Sequence, residues 1–214
     1  GADGGVRLTL VNGAGHATVN DTLGGRDTLV NFENVFGSML ADTIGGDAFA
    51  NVISGWEGND QLSGGGGADS LSGGNGADSL NAGAGTDTVF GGAGNDSIIS
   101  ADGLGDLLYG DGGADSIVGG SGADTIYGGD DNDAVNAGSG NDVVELGNGD
   151  DTINAFAGND FVDGGNGNDS LFANTGADTL LGGAGNDTLQ ANSDSLGDSL
   201  SGGTGADTIL GGSG

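Results

Sequence analysis

The chain has 214 residues, of which 53 are glycine and none is proline or cysteine; two basic side chains, Arg7 and Arg26, stand against 32 acidic ones, a formal charge of −30. Such a charge repels phosphate and leaves nucleic acid a poor partner, the lack of cysteine removes disulfides, thiolate metal sites and thiol nucleophiles, and no stretch approaches the ~18 apolar residues of a membrane span, so no membrane insertion is expected. Leucine, isoleucine, valine and phenylalanine together number 46, too few for a conventional globular core, and the natural partner of so much negative charge is a cation.

Residues 1–36 differ from the rest and hold both arginines and the only histidine, His16. Val6, Leu8 and Leu10 alternate and are followed by Asn12-Gly13, which predicts a strand and a turn. One histidine without partner residues reads as an ordinary surface residue. Gly1 is not an initiator methionine and Gly211-Gly212-Ser213-Gly214 stop inside a pattern, so the chain reads as a fragment truncated at both ends.

From residue 37 to residue 210 that pattern has a period of nine, as in GGNGADSLN at 73–81, GGAGNDSII at 91–99 and GGAGNDTLQ at 182–190. Nineteen units tile the segment; 100–109 carries one extra residue and 191–201 carries two. The sixth position is aspartate in eighteen units: Asp42, Asp60, Asp69, Asp78, Asp87, Asp96, Asp106, Asp115, Asp124, Asp133, Asp142, Asp151, Asp160, Asp169, Asp178, Asp187, Asp198 and Asp207, with Asn51 as the exception. The eighth is Leu, Ile or Val in all nineteen, from Ile44 to Ile209.

Positions 1–6 are mostly Gly, Asp and Asn, which accept tight turns and positive φ. Positions 7–9 read polar, aliphatic, variable, a three-residue strand with one side chain facing in. Turn, strand, turn and strand make an 18-residue coil, so the predicted fold is all-β, with two parallel sheets and about nine and a half coils stacked at ~4.8 Å. One buried aliphatic per unit is a thin core, and glycine is costly to order, so folding needs help from a ligand. Calcium suits that role because it takes six to eight oxygens, and these turns offer carboxylates and backbone carbonyls. Magnesium is smaller and keeps its waters, and the repeat lacks the twelve-residue loop and closing Glu of an EF-hand. A solvated acidic linker is the plain alternative; the aliphatic residue two positions after every sixth position argues against it.

At these residues the chain resembles the RTX (repeats-in-toxin) family of hemolysin-type calcium-binding nonapeptide repeats, G-G-x-G-x-D-x-U-x. The resemblance is strongest at 64–99 and 110–190 and weaker in the first two units, where Leu40 and Phe49 replace the fourth-position glycine. It implies a right-handed parallel β-roll, a β-solenoid with calcium in the turns, each ion lying between loops stacked on one edge, two units apart. Asp60 would pair with Asp78, Asp69 with Asp87, and so on. The implied ligands are the eighteen aspartates with carbonyls of the first and third positions, such as Gly73 and Asn75, Gly91 and Ala93, Gly119 and Ser121, Gly164 and Asn166, and Gly182 and Ala184, for roughly ten to sixteen calcium ions.

Units alternate between the two edges of such a roll. Both longer units and Asn51 fall on the even edge, so the odd edge, Asp42 through Asp207, is expected to be regular. The even edge is expected to break near Ala101-Asp102-Gly103 and Asn192-Ser193-Asp194. Positions 7 and 9 face outward; on the even sheet Phe90, Tyr109 and Tyr127 should stack, with Leu107, Val143, Phe161 and Leu181 on the same face. That face is a candidate contact for a neighbouring domain or a second copy of the rod. The run 27–35, DTLVNFENV, looks like a segment leading into RTX arrays, so 1–36 is read as a cap and 37–214 as the array. Val35 would continue the inward column, and Trp56 is read as cap packing.

No catalytic constellation is present: there is no lysine, no cysteine and no histidine–carboxylate pair beside a nucleophile. The reading is a non-enzymatic calcium-binding structural module. The resemblance implies type I secretion, folding in external calcium, and a place outside the cell or on a bacterial surface; nineteen units are long for an enzyme's accessory tail, and that length favours a surface layer, filament or adhesin. The alternatives are the C-terminal tail of a secreted protease, lipase or alginate epimerase, and an ice-binding rod. Against the last, the third position is threonine only at Thr175 and Thr204.

Overall fold

The computed structural model describes residues 7–11, 26–30, 34–100, 102–191 and 196–212. Val6, the Asn12-Gly13 turn, His16, Ala101, Asn192, Ser193 and Asp194 lie outside the described residues. Polar–aliphatic alternation with turns every nine residues leaves each short strand one apolar side chain to bury. Stacking coils on one another buries all of them at once. Strands β1 (Arg7–Val11), β2 (Arg26–Val30) and β4 (Thr43–Gly45) begin a twelve-stranded sheet in the order β2-β1-β4, which then takes every second strand up to β22 (Thr208–Leu210). The ten-stranded sheet runs from β3 (Asn34–Phe36) through β5 (Val52–Glu57) to β21 (Ser199–Ser201). The first carries the odd units and the second the even ones, as the parity of the repeat requires.

Neighbouring strands pair in parallel, one coil apart, so the eighth-position residues align: Ile53 with Leu71, Leu62 with Leu80, Val89 with Leu108. The column from Val35 to Leu189 is buried, whereas Ile209 in the last described strand is 48 % exposed. On the outer face of the even sheet, Phe90, Tyr109 and Tyr127 stack in register, with ring centroids 4.9 and 4.8 Å apart and planes within 7°.

Two features depart from the expected unit. Many strands have six residues rather than three, because pairing continues round the corner: Trp56 aligns with Gly74 and Glu57 with Asn75. The first position, skipped by this ladder, points inward. Ala82, Ala137, Leu146, Ala155 and Ala173 there are fully buried, so the core has a second, smaller column beside the aliphatic one.

The corner explains the glycines at positions 2 and 4. Gly74 has φ 111° and Gly76 φ 139°, a region that L side chains rarely enter. Asp111 and Asn174 take the second position at φ 70° and 67°, as their short polar side chains allow. Trp56 (φ 83°) and Phe156 (φ 69°) do so as strained bulky residues. Trp56 is 58 % exposed, so it does not serve as cap packing.

Candidate metal centre

The sixth position follows the corner and precedes the next strand, which turns its side chain into the roll. From Asp42 to Asp187 every sixth-position aspartate is only 1–4 % exposed. From Asp60 onward, Oδ1 of each accepts the backbone N–H of the residue one coil earlier, whereas the carboxylate of Asp42 accepts from the Ser38 N–H and hydroxyl. On the odd edge Asp42 donates to Asp60 (2.7 Å), Asp60 to Asp78 (2.7 Å), Asp96 to Asp115 (2.7 Å) and Asp187 to Asp207 (3.0 Å). On the even edge Asn51 donates to Asp69 (2.7 Å), Asp87 to Asp106 (2.7 Å), Asp106 to Asp124 (2.8 Å) and Asp178 to Asp198 (3.0 Å). The expected break in the even edge is therefore absent from its aspartate file. The register skips nineteen residues at one longer unit and twenty at the other, and the N–H to Oδ1 bond keeps the sixth position in file across both.

The second carboxylate oxygen is different. Oδ2 of Asp60, Asp78, Asp96, Asp115 and Asp133 on the odd edge, and of Asp69, Asp124, Asp142 and Asp160 on the even edge, is buried with no hydrogen-bond partner. A buried acceptor without a partner is costly, and a buried charge more so. Burial accordingly pushes the carboxyl groups of Asp60, Asp69, Asp115, Asp124, Asp133 and Asp160 up to about 7, and those of Asp96 and Asp169 to about 6. The N–H bond to Oδ1 opposes the rise, and carboxylates on the same edge add to it.

The first-position glycines complete the arrangement. A β-carbon at Gly91 would lie 2.5 Å from Asp96 Oδ2 and 2.7 Å from the Gly110 carbonyl oxygen; at Gly164 it would lie 2.5 Å from Asp169 Oδ2 and 2.7 Å from the Gly182 carbonyl. Each such glycine thus leaves open a cradle lined by a partnerless carboxylate oxygen and a carbonyl of the next coil. The Gly73 and Gly91 carbonyls stand in the same way at Gly55 and Gly73. By the same register, Gly119 and Gly164 face first positions that carry side chains, Ser100 and Leu146. The third-position carbonyls of Asn75, Ala93, Asn166 and Ala184 each accept an N–H from the coil before, at 2.8 Å. Ser121 donates its N–H to the Asp102 carbonyl at 2.9 Å. These carbonyls keep a second lone pair.

Among the described residues no three acidic or imidazole side chains gather at one point. The donors on offer are therefore one or two carboxylates and several carbonyls per turn. These are hard oxygens, suited to calcium and not to zinc or copper. Two features escaped sequence reasoning. The Ser100 hydroxyl donates a short hydrogen bond to Asp106 Oδ2, the one described position where a side chain satisfies that oxygen from the first position. At the fifth position Asn132, Asp150 and Asn168 form an outer file, each accepting the next N–H at 2.7–2.9 Å. The first could have been found by asking which first positions are polar; the second by reading the Asn column as a ladder.

A family model for the RTX calcium-binding nonapeptide repeat matches residues 36–71, 63–98, 109–144, 137–171, 172–195 and 192–214. The chain belongs to the RTX calcium-binding repeat family. Among solved structures, this RTX array is similar to the X-ray crystal structure of a hyperactive, Ca2+-dependent, beta-helical antifreeze protein from an Antarctic bacterium, with 21% identity and a TM-score of 0.69 over 95% of this chain and 79% of that one. At that identity the likeness establishes the β-solenoid fold alone. No curated protein matches the sequence of the chain. The chain is thus a calcium-binding RTX β-roll, a structural fold in which calcium is the implied ion.

Proposed function

We propose that this RTX array is a calcium-dependent folding and structural module of a secreted or cell-surface bacterial protein, of the surface-layer, filament or adhesin kind. It is disordered without calcium and folds on meeting the ion outside the cell. One observation carries the reading: two unbroken files of buried aspartates, most of whose Oδ2 atoms have no partner. A net charge of −30 with stacked carboxylates repels itself in the absence of cations. Bound calcium supplies positive charge and fills the oxygen-lined cradles of the turns. The sixth-position aspartates and the carbonyls of the first position would hold it, while the Oδ1 hydrogen bonds keep each carboxylate oriented.

Residues 1–36 serve as the cap, a reading supported by β1 and β2 beyond β4 and by the complete burial of Val35. The aromatic strip of the even sheet is the face through which the module would meet a neighbouring domain or rod. The calcium dependence of the antifreeze protein agrees with the reading. Its ice activity is not carried over, since Thr175 and Thr204 are the only third-position threonines.

The test is circular dichroism of the chelator-treated chain during titration with calcium, with magnesium as control. Disorder in chelator, β-structure with calcium and no response to magnesium are expected. A chain equally ordered after exhaustive chelation would refute the reading.

A further inference from the structure

Sixth-position aspartates line both edges, yet the first position distributes its residues unequally. On the even edge Ala82, Ser100, Ala137, Ala155, Ala173 and Ala191 hold six of the nine first positions. On the odd edge only Leu146 interrupts a row of glycines. All of these side chains except Ala191, at 8 %, are fully buried, so they point to the place that glycine leaves open. That place lies between Asp Oδ2 and the carbonyl of the next coil: at Gly128 a β-carbon would lie 2.5 Å from both Asp133 Oδ2 and the Leu146 carbonyl oxygen, and at Gly182 2.5 Å from both Asp187 Oδ2 and the Gly202 carbonyl oxygen. Calcium–oxygen distances are about 2.3–2.6 Å, so a methyl group and the ion compete for one volume. Ser100 shows the same substitution in polar form, its hydroxyl occupying the oxygen of Asp106.

We propose that the first-position residue decides which turns take an ion, so that calcium is held along the odd edge and at only two turns of the even edge. The inference rests on the calcium reading above and deepens it. The even edge is instead closed by small side chains and works as a fixed spine, while the odd edge is the ion-responsive one. Cradles that combine a glycine, a partnerless Asp Oδ2 and a following carbonyl number seven on the odd edge, from Gly55 to Gly182, and two on the even edge, at Gly64 and Gly119. Were every stacked aspartate pair a site, the numbers would be nine and seven.

The experiment is calcium stoichiometry of the full chain at saturation, by equilibrium dialysis and elemental analysis, with two variants. The wild type should bind about nine ions. Ala137→Gly with Ala155→Gly, which opens cradles at Asp142 and Asp160, should bind about two more, and Gly91→Ala with Gly110→Ala about two fewer. The first variant inserts no new atoms, so it remains informative even if the second folds poorly. A wild-type count near sixteen, left unchanged by A137G/A155G, would overturn the gating while leaving calcium binding intact. A chain that binds no calcium would overturn the underlying reading as well, and the two failures are thereby told apart.

Discussion

Acid should substitute for calcium. Asp60, Asp69, Asp115, Asp124, Asp133 and Asp160 have carboxyl groups raised from 3.8 to about 7 by burial, against which their backbone hydrogen bonds are insufficient. Each tenfold gain in proton affinity is worth about 1.36 kcal/mol, so each group opposes folding at neutral pH by at most about 4 kcal/mol. The turns border solvent, whose screening reduces this to on the order of 1–2 kcal/mol for each. Even so, six such groups together match the ~5–15 kcal/mol that holds a typical domain. The sign follows from proton counting. With folded values above the unfolded one, the folded chain binds more protons between about pH 4 and pH 7, so stability falls as pH rises through that window. Chelated protein should therefore show β-structure by far-ultraviolet circular dichroism, and a urea transition, at about pH 5, and lose both by about pH 7.5. Calcium at the higher pH should restore them. If the ion-free chain were equally ordered at both values, or lost order on acidification, the account of the aspartate files as unpaired buried acids would fail.

Three further outcomes are expected. Asp115→Asn keeps an acceptor for the Asp96 N–H but removes a charge, so it should lower bound calcium by about one ion while making the chelated chain more stable at neutral pH, as read by dialysis and urea unfolding. Leu108→Ala removes a fully buried member of the aliphatic column of a thin core; a loss of about 2–5 kcal/mol is expected from urea unfolding in saturating calcium. Replacing Tyr109 and Tyr127 by serine removes both ring stacks of the even sheet and should cost about 0.5–1.5 kcal/mol per stack beyond lost burial, with calcium stoichiometry unchanged.

Much of the candidate site was legible because its parts recur. A carboxylate every nine residues, with an aliphatic residue two positions on, specifies which residues repeat and which are two units apart. Asp60 over Asp78 and Phe90 beside Tyr109 both follow from that count. What the count could not show was direction. Nothing in the string states that Asp96 turns inward, that one of its oxygens is spoken for by the Asp78 N–H and that the other is bare. The insertion at 100–109 also misled, since a break in period is not a break in hydrogen bonding.

The amino-acid sequence alone determined the period, the two sheets, the assignment of odd and even units to them, and the eighth-position column from Val35 onward. Each is a consequence of side-chain alternation and turn chemistry within a few residues. Only the tertiary structure decided that strands run on through the corner, that Ala82 and Leu146 enter the core, and that Ser100 answers Asp106. The first two depend on contact between coils eighteen or more residues apart, where the backbone of one coil sets the space left for the side chains of the next; the third is a contact across six residues that exists only once the turn folds both side chains inward.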